Sequence, residues 1–477
     1  MSYNVLREPW IPMSDGHKYS LWDCLEHAHE MERISCASPL ETYAVHRFLC
    51  AFVMDALQLQ NKSARLLLLK QGRFDMAVFD AYVDLCEQEG VSFDLFDKNR
   101  PFMQAGYNPK YDLTTKPVAA LASELPSGNN HIFLEHKMAD DHCLSVDDAL
   151  KSMLSGYVFC TAGAQHYPSS VNNTPCLYVI VHGANLFETL ILGCISQKEA
   201  GNLPYGKAAW RTRMEIVPKT EFATIDLLQG LTWQPRRVTL LANESGKIER
   251  VYLIQGYNFK GNQLWRDPHV PYRLLKDGSF NPMKPSSVRS LWRDLGGLAV
   301  SKENRFGKQP QVIAALPENW QLCKVSVIGL ITDQATLIDT VHEEMLIPSN
   351  ILNDEDKGDT LHRDLNFVEE VHRLIGRGLG DKFPSTFRDD LQNNFLATVR
   401  SFVFDTYFEA LGHCESDESF LSLQKLVEEQ VFQSLKEMFS KLSMRLGFDS
   451  KNIILQSKVQ KEILTGYYKL RGKRNDE

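Results

Sequence analysis

The chain has 477 residues, 43% hydrophobic and 23% charged, with 52 Lys and Arg against 60 Asp and Glu and a net charge of −8. This length suits two or three domains with a large core, and the near-average composition excludes fibrous, disordered and repeat classes. No apolar run approaches a membrane span and the start MSYNVLREPWIPM is no secretory leader, so a soluble cytoplasmic protein is expected. The ten cysteines stand singly without a C-x-x-C pair, which suits buried thiols in a reducing compartment and gives no zinc knuckle or redox site.

Charge is uneven along the chain. Residues 201–308 hold 18 Lys and Arg against 9 Asp and Glu, a balance of +9 that leaves −17 on the rest. Such a basic island can attract phosphates locally, or it can be no more than solvated loop charge.

In chain order, the segment ETYAVHRFLCAFVMDALQL predicts a core helix with Tyr43, Phe48, Phe52, Met54 and Leu57 on one face. CLYVIVHG, RRVTLLAN, RVYLIQGY and CKVSVIGLI are short, β-branched and bounded by Gly, Pro or Asn, and predict strands. Asn258 to Pro310, rich in Pro, Gly and basic residues, predicts loops draped over a sheet. The polar, acidic stretch Ser349 to Asp359 predicts a linker, after which only helical periodicity remains. There Val431, Leu435, Met438 and Leu442 form one apolar stripe and Phe395, Val399, Phe402 and Tyr407 another. The expected architecture is α+β: a large mixed domain over residues 1–360 with short strands and long loops, then an all-α four-helix bundle over residues 361–477.

Enzyme signatures are weak. GNLPYGKA (Gly201 to Ala208) approaches a phosphate-binding loop but ends in Ala208 where a hydroxyl should hold magnesium, and Pro204 removes a backbone donor. Asp140, Asp141, His142, Asp147 and Asp148 could suggest a metal, yet Ser145 ahead of two carboxylates fits a helix cap. Neither H-E-x-x-H nor G-x-S-x-G occurs, so no catalytic residue and no metal or other cofactor is assigned.

GLITDQATLI, residues 329–338, breaks an apolar run with Thr332, Asp333 and Gln334. Its tip lacks the Asn-Gly or Asp-Gly of a two-residue hairpin turn.

Five segments in order resemble one family. LREPWIPM (Leu6 to Met13), RPFMQA (Arg100 to Ala105), HIFLEH (His131 to His136), GLTWQPRRVTL (Gly230 to Leu240) and LWRDPHVPY (Leu264 to Tyr272) are similar to segments of the CasA-type large subunit of the type I-E CRISPR surveillance complex Cascade. The resemblance spans nearly the whole chain and implies a non-catalytic DNA-recognition subunit with a mixed N-terminal domain and a C-terminal four-helix bundle. Its implied partners are target double-stranded DNA, the guide RNA with the other Cascade subunits, and a helicase-nuclease effector. Guide pairing reads the long target, while this subunit reads the short adjacent motif from the minor groove and starts strand separation.

By the same resemblance Gln334 stands at the family's wedge glutamine, with Asp333 and Ala335 beside it. A side-chain amide can donate and accept between opened bases. Asp333 departs from the neutral residue often found there. The family's glycine-rich loop falls at QHYPSSVNNT (Gln165 to Thr174), which has no glycine, so Ser169, Ser170, Asn172 or Asn173 must serve the groove differently. Lys260 matches the family's hairpin lysine loosely. Some members carry a zinc site of paired cysteines, which this sequence lacks. Two other classes stay open: a nucleotide-dependent phosphotransferase or hydrolase using residues 201–208, and a guide-RNA scaffold that reads no motif.

Overall fold

A computed structural model describes residues 1–122, 125, 142–162, 167–212, 214–260, 264–286, 291–296, 307–318, 320, 322–333, 336–352 and 354–476. The chain divides into two compact units, Met1–Val288 with Pro310–Leu346, and Arg289–Gln309 with Ile347–Glu477. The first mixes helices with short strands, and everything described from Ser349 onward is helical, so the class is α+β. Among the described residues no helix is long and apolar enough to cross a membrane.

The first unit is built around a central helix, Pro39–Leu57. Ser38 caps it by accepting from Leu40 N, and Pro39 fills the first turn, where a missing N–H is harmless. The sequence suggests one apolar face, but the structure buries nearly every residue from Leu40 to Asp55, and Leu57 is only half-buried. A helix apolar almost all round belongs at the centre of a fold. Here it is packed by the helices Val146–Phe159, Leu186–Leu192 and Leu227–Leu231 and by the strand Tyr178–His182.

All four apolar runs expected to be strands are strands. Arg236–Ala242 pairs antiparallel with Ile248–Gln255, which also pairs with Thr115–Pro117. Leu322–Asp333 lies between Tyr178–His182 and the edge strand Thr336–Pro348. This inner strand is buried on both faces from Val325 to Ile331, which explains its apolar run from Val327 to Ile331. The edge strand alternates and exposes Asp339, His342 and Glu344, charges that discourage pairing with a further chain.

Two of the resemblance segments are explained by one buried network. Arg47, on the central helix, pairs with Asp267 at 2.8 Å, both fully enclosed. Its other guanidinium nitrogens donate to the carbonyls of Leu231 (2.9 Å) and Gly230 (3.1 Å), and Nη1 also donates to Tyr43 Oη. Asp267 accepts from Asn172 Nδ2 at 3.0 Å, Asn172 Oδ1 accepts from Trp265 Nε1 at 2.9 Å, and Tyr272 Oη accepts from Asp267 N at 2.8 Å. Gly230 is required here by space: a Cβ would lie 2.2 Å from the Trp265 ring. Burial pushes the Asp267 carboxyl up, but Arg47 and His269 outweigh it and hold it below the usual range.

The second unit contains four long helices, Glu355–Leu379, Ser385–Phe402, Asp417–Leu446 and Ser450–Asp476. Both expected stripes are buried, and Leu361, Val371, Ile375, Val459 and Ile463 complete the core. Glu428, itself buried, receives Arg471 Nε at 2.6 Å, while its carbonyl accepts from Tyr467 Oη at 2.8 Å. The stretch expected as a linker is helical instead. Ser349–Leu352 makes one turn, and Asp354 caps the next helix by accepting from Asp356 N and Lys357 N. Its acidity belongs to a helix N-terminus, where carboxylates are favoured.

Two stability predictions follow from these contacts. Asp267→Ala strands Arg47 in the core, and the urea midpoint is expected to fall by the equivalent of about 3–5 kcal/mol; a loss below about 1 kcal/mol would mean that water relieves the charge. His182 faces Lys324 across the sheet, its Nε2 2.6 Å from Ser326 Oγ, and burial followed by Lys324 holds its imidazole down to about 4. Because the unfolded value is about 6.5, its neutral form contributes stability above that pH, and the contribution is lost as pH falls from about 6.5 to about 4. His182→Gln should therefore lose less stability than wild type over that window, by at most about 3 kcal/mol. Melting curves that run parallel from pH 7 to 4 would contradict this.

Candidate nucleic-acid interface

The long hairpin begins inside the core. Its inner strand pairs with Tyr178–His182 from Lys324 to Ile328, and Gly329–Asp333 continues past that pairing for about 17 Å of extended chain. Ile328 and Leu330 are buried with Tyr43, Phe159, Tyr178 and Tyr272, and Leu337 on the return strand packs against the same cluster. Tyr43 stacks on Tyr178 with ring centroids 4.5 Å apart. Gly329 is set by contact, since a Cβ would meet Pro285 at 3.0 Å and Leu177 at 3.1 Å. The strands end at Asp333 and resume at Thr336. Gln334 and Ala335 lie outside the described residues, as do His131 to His136.

The second element is the loop expected to serve the groove. Ser170 and Asn172 are buried and turned to internal work: Ser170 Oγ donates to Thr174 O, and Asn172 joins the Asp267 network. Ser169 is half-buried with its Oγ on the Ser170 carbonyl, and Asn173 is exposed. Asn173 has φ 59°, so asparagine, which tolerates the left-handed region, takes the backbone conformation that a glycine would otherwise supply. Of the four residues singled out, the structure leaves Asn173 and, in part, Ser169 facing outward.

No local sequence signal marks what anchors this loop. Arg236 donates to Thr161 O at 2.8 Å and to Pro168 O, joining the two ends of the segment that includes residues 163–166. Its guanidinium also lies 4.9 Å from the Tyr167 ring centre, as does Lys116 Nζ, which donates to Tyr167 Oη at 3.0 Å. Leu337, Cys160, Thr161 and Arg236 line one cleft of about 170 Å³, so the anchored end of the loop and the far half of the long hairpin are neighbours.

The third element is a short hairpin, Tyr272–Leu274 with Phe280–Pro282, antiparallel from Phe280↔Leu274 to Pro282↔Tyr272. It carries exposed Arg273 and Lys276, and exposed Lys284 directly precedes the Pro285 that rests on Gly329. Lys284 is thereby placed beside the long hairpin. Lys260 is also exposed, paired with Glu221 at 2.8 Å, an ion pair of little worth that a phosphate could replace.

Much of the basic island serves the fold. Arg211 pairs with Asp55 at 3.0 Å and Glu89 at 2.8 Å, Lys207 with Glu89, Arg237 with Asp112 at 2.9 Å, and Arg293 with Glu369. All of these carboxylates lie outside residues 201–308, so part of the +9 is answered by acids distant in sequence. Glu89, held between Arg211 and Lys207, has its carboxyl lowered to about 2.

The phosphate-loop reading finds no supporting geometry. Gly201–Ala208 follows a helix and a turn, a three-residue 3-10 turn succeeds it, and Lys207 is engaged by Glu89. In the acidic cluster Ser145 caps Val146–Phe159, accepting from Asp148 N at 3.3 Å, and Asp147 faces Lys18 and Lys151. Asp140 and Asp141 lie outside the described residues.

Known proteins share this fold. The chain is 26% identical over 399 residues to the CRISPR-associated protein CasA/Cse1 of Thermus thermophilus, covering 79% of this chain and 76% of that protein. It is similar in fold to the solved Thermus thermophilus CasA (Cse1), with a TM-score of 0.77 at 20% identity over 98% of this chain and 100% of that one. A chain of a CRISPR RNA-guided surveillance complex gives a TM-score of 0.76 at 17% identity, covering 97% of this chain and 99% of that one. The sequence profile of the CRISPR-associated protein Cse1 family matches residues 4–465, and the chain belongs to that family.

Proposed function

We propose that this protein is the non-catalytic large subunit of a cytoplasmic Cascade-type, RNA-guided DNA surveillance complex, reading the motif beside the target through the minor groove and wedging the duplex open. Family membership and the likeness to a surveillance-complex chain support the assignment to such a complex. The observation that supports the wedge is the long hairpin, one leg of which is a core strand buried on both faces that runs on from Gly329 to Asp333 past its pairing with Tyr178–His182.

In this reading Gln334 enters the base stack and its amide meets part of the lost base pairing, with Asp333 and Ala335 as neighbours. Unstacking one step costs a few kcal/mol, roughly what motif contacts and the first guide pairs can offset. Arg273, Lys276, Lys284 and Lys260 hold the phosphates beside it. Asn173 and Ser169 face the groove, while Ser170, Asn172 and Arg236 hold that loop in place. The mixed part of the chain thus does the recognition, and the C-terminal helices dock the other subunits and help recruit the helicase-nuclease effector.

The test is a reconstituted complex with guide RNA. Gln334→Ala is expected to cut motif-dependent strand opening at least about tenfold, a loss of roughly 1.4 kcal/mol or more, and Asp333→Ala to change it in either direction. Lys276→Glu combined with Lys284→Glu should weaken duplex binding and flatten its salt dependence by about two phosphate contacts. Target opening that is indifferent to Gln334 and to the motif sequence would remove the wedge and leave a guide-RNA scaffold.

A further inference from the structure

The core beneath the interface holds a cluster that nothing in the proposed function uses. His46 and Cys50 lie one turn apart on the central helix and so project together. His269 reaches them from the segment after Asp267, and all three are completely enclosed. One ligating atom from each, the Cys50 Sγ and a ring nitrogen of each histidine, lies within 4.8 Å of the others, and Cys50 Sγ is 3.5 Å from His46 Nε2. A tetrahedral zinc-class ion sets its sulfur and nitrogen ligands about 3.6 Å apart.

Two independent details bear on this. Gly193 has φ −76° and ψ −9°, a backbone open to any residue, so conformation does not require glycine. Space does: a Cβ there would stand 2.7 Å from Cys50 Sγ and 2.8 Å from His46 Nε2, on the ground between the two donors. The second detail is an orphaned atom. His269 Nε2 is 2.9 Å from Gly193 O, while Nδ1 is buried without a hydrogen-bond partner, 3.8 Å from Asp267 Oδ1. A cation on Nε2 would move the ring proton to Nδ1 and direct it at the Asp267 carboxylate, the carboxylate–histidine–metal relay that orients ligating imidazoles.

We infer that His46, Cys50 and His269 form a buried structural site for a thiophilic divalent cation of the zinc class, with Asp267 fixing the His269 ring from behind. Cys194, next to Gly193, lies beside the cluster with its Sγ 3.7 Å from the Cys50 carbonyl. Binding releases the Cys50 thiol proton to solvent and forms a metal–thiolate bond, with no change of oxidation state. The scattered cysteines gave no such signal because the donors are an H-x-x-x-C turn and a histidine more than two hundred residues away.

The test uses the full chain, expressed with zinc or cobalt(II) and freed of loosely bound metal. Elemental analysis should find about one ion per chain, and the cobalt protein should show tetrahedral ligand-field absorption with a thiolate-to-cobalt band. Cys50→Ser should abolish the thiolate band, and His269→Gln should lower metal retention by roughly 10-fold or more. Wild-type chain that holds no ion above background under both loadings, or a cobalt form without the thiolate band, overturns the site. Because these readouts are made on the wild type, they decide the matter even if a variant fails to fold.

Discussion

The Arg47–Asp267 pair is the constraint on which the first unit rests. An ion pair taken out of water is stable only when its geometry is close and the remaining donors and acceptors are met. Here that requirement draws in the carbonyls of residues 230 and 231, the amide of Asn172, the indole of Trp265 and the hydroxyl of Tyr43. Segments far apart in sequence are therefore tied to one helix. The loop that carries Asn172 and the stack of Tyr43 on Tyr178 under the long hairpin are both fixed by that tie.

Electrostatics in this molecule work at two scales. Buried arginines such as Arg47, Arg211 and Arg237 hold the fold through carboxylates and carbonyls at close range, where low dielectric makes each contact count. Lys276 on the short hairpin and Lys284 on its flank are exposed instead. Arg236 belongs to neither group, since it ties backbone oxygens at the two ends of a loop. A charge count along the sequence merges these roles, and only the pairing pattern separates them.

What was legible in the sequence follows the same physics. The four strand segments were readable because they are short, β-branched and bounded by Gly, Pro or Asn, and the bundle stripes because 3.6-residue periodicity survives any tertiary arrangement. Order and spacing of the resemblance segments pointed to the family. The linker was misread because a capped, acidic helix start and a polar connection have the same composition. The basic island looked like a surface because Asp55, Glu89, Asp112 and Glu369 are remote in sequence. Asn172 looked available because nothing local shows that Asp267 and Trp265 close on it from ninety residues away.

The inner strand of the long hairpin has a mechanical consequence. A finger mounted on a flexible stalk would bend when pressed against stacked bases. This one shares its backbone with a strand locked between two neighbours, and its root sits on close-packed aromatic rings. In the proposed wedging, resistance would pass through the described strand ends at Asp333 and Thr336 into the body of the protein as load.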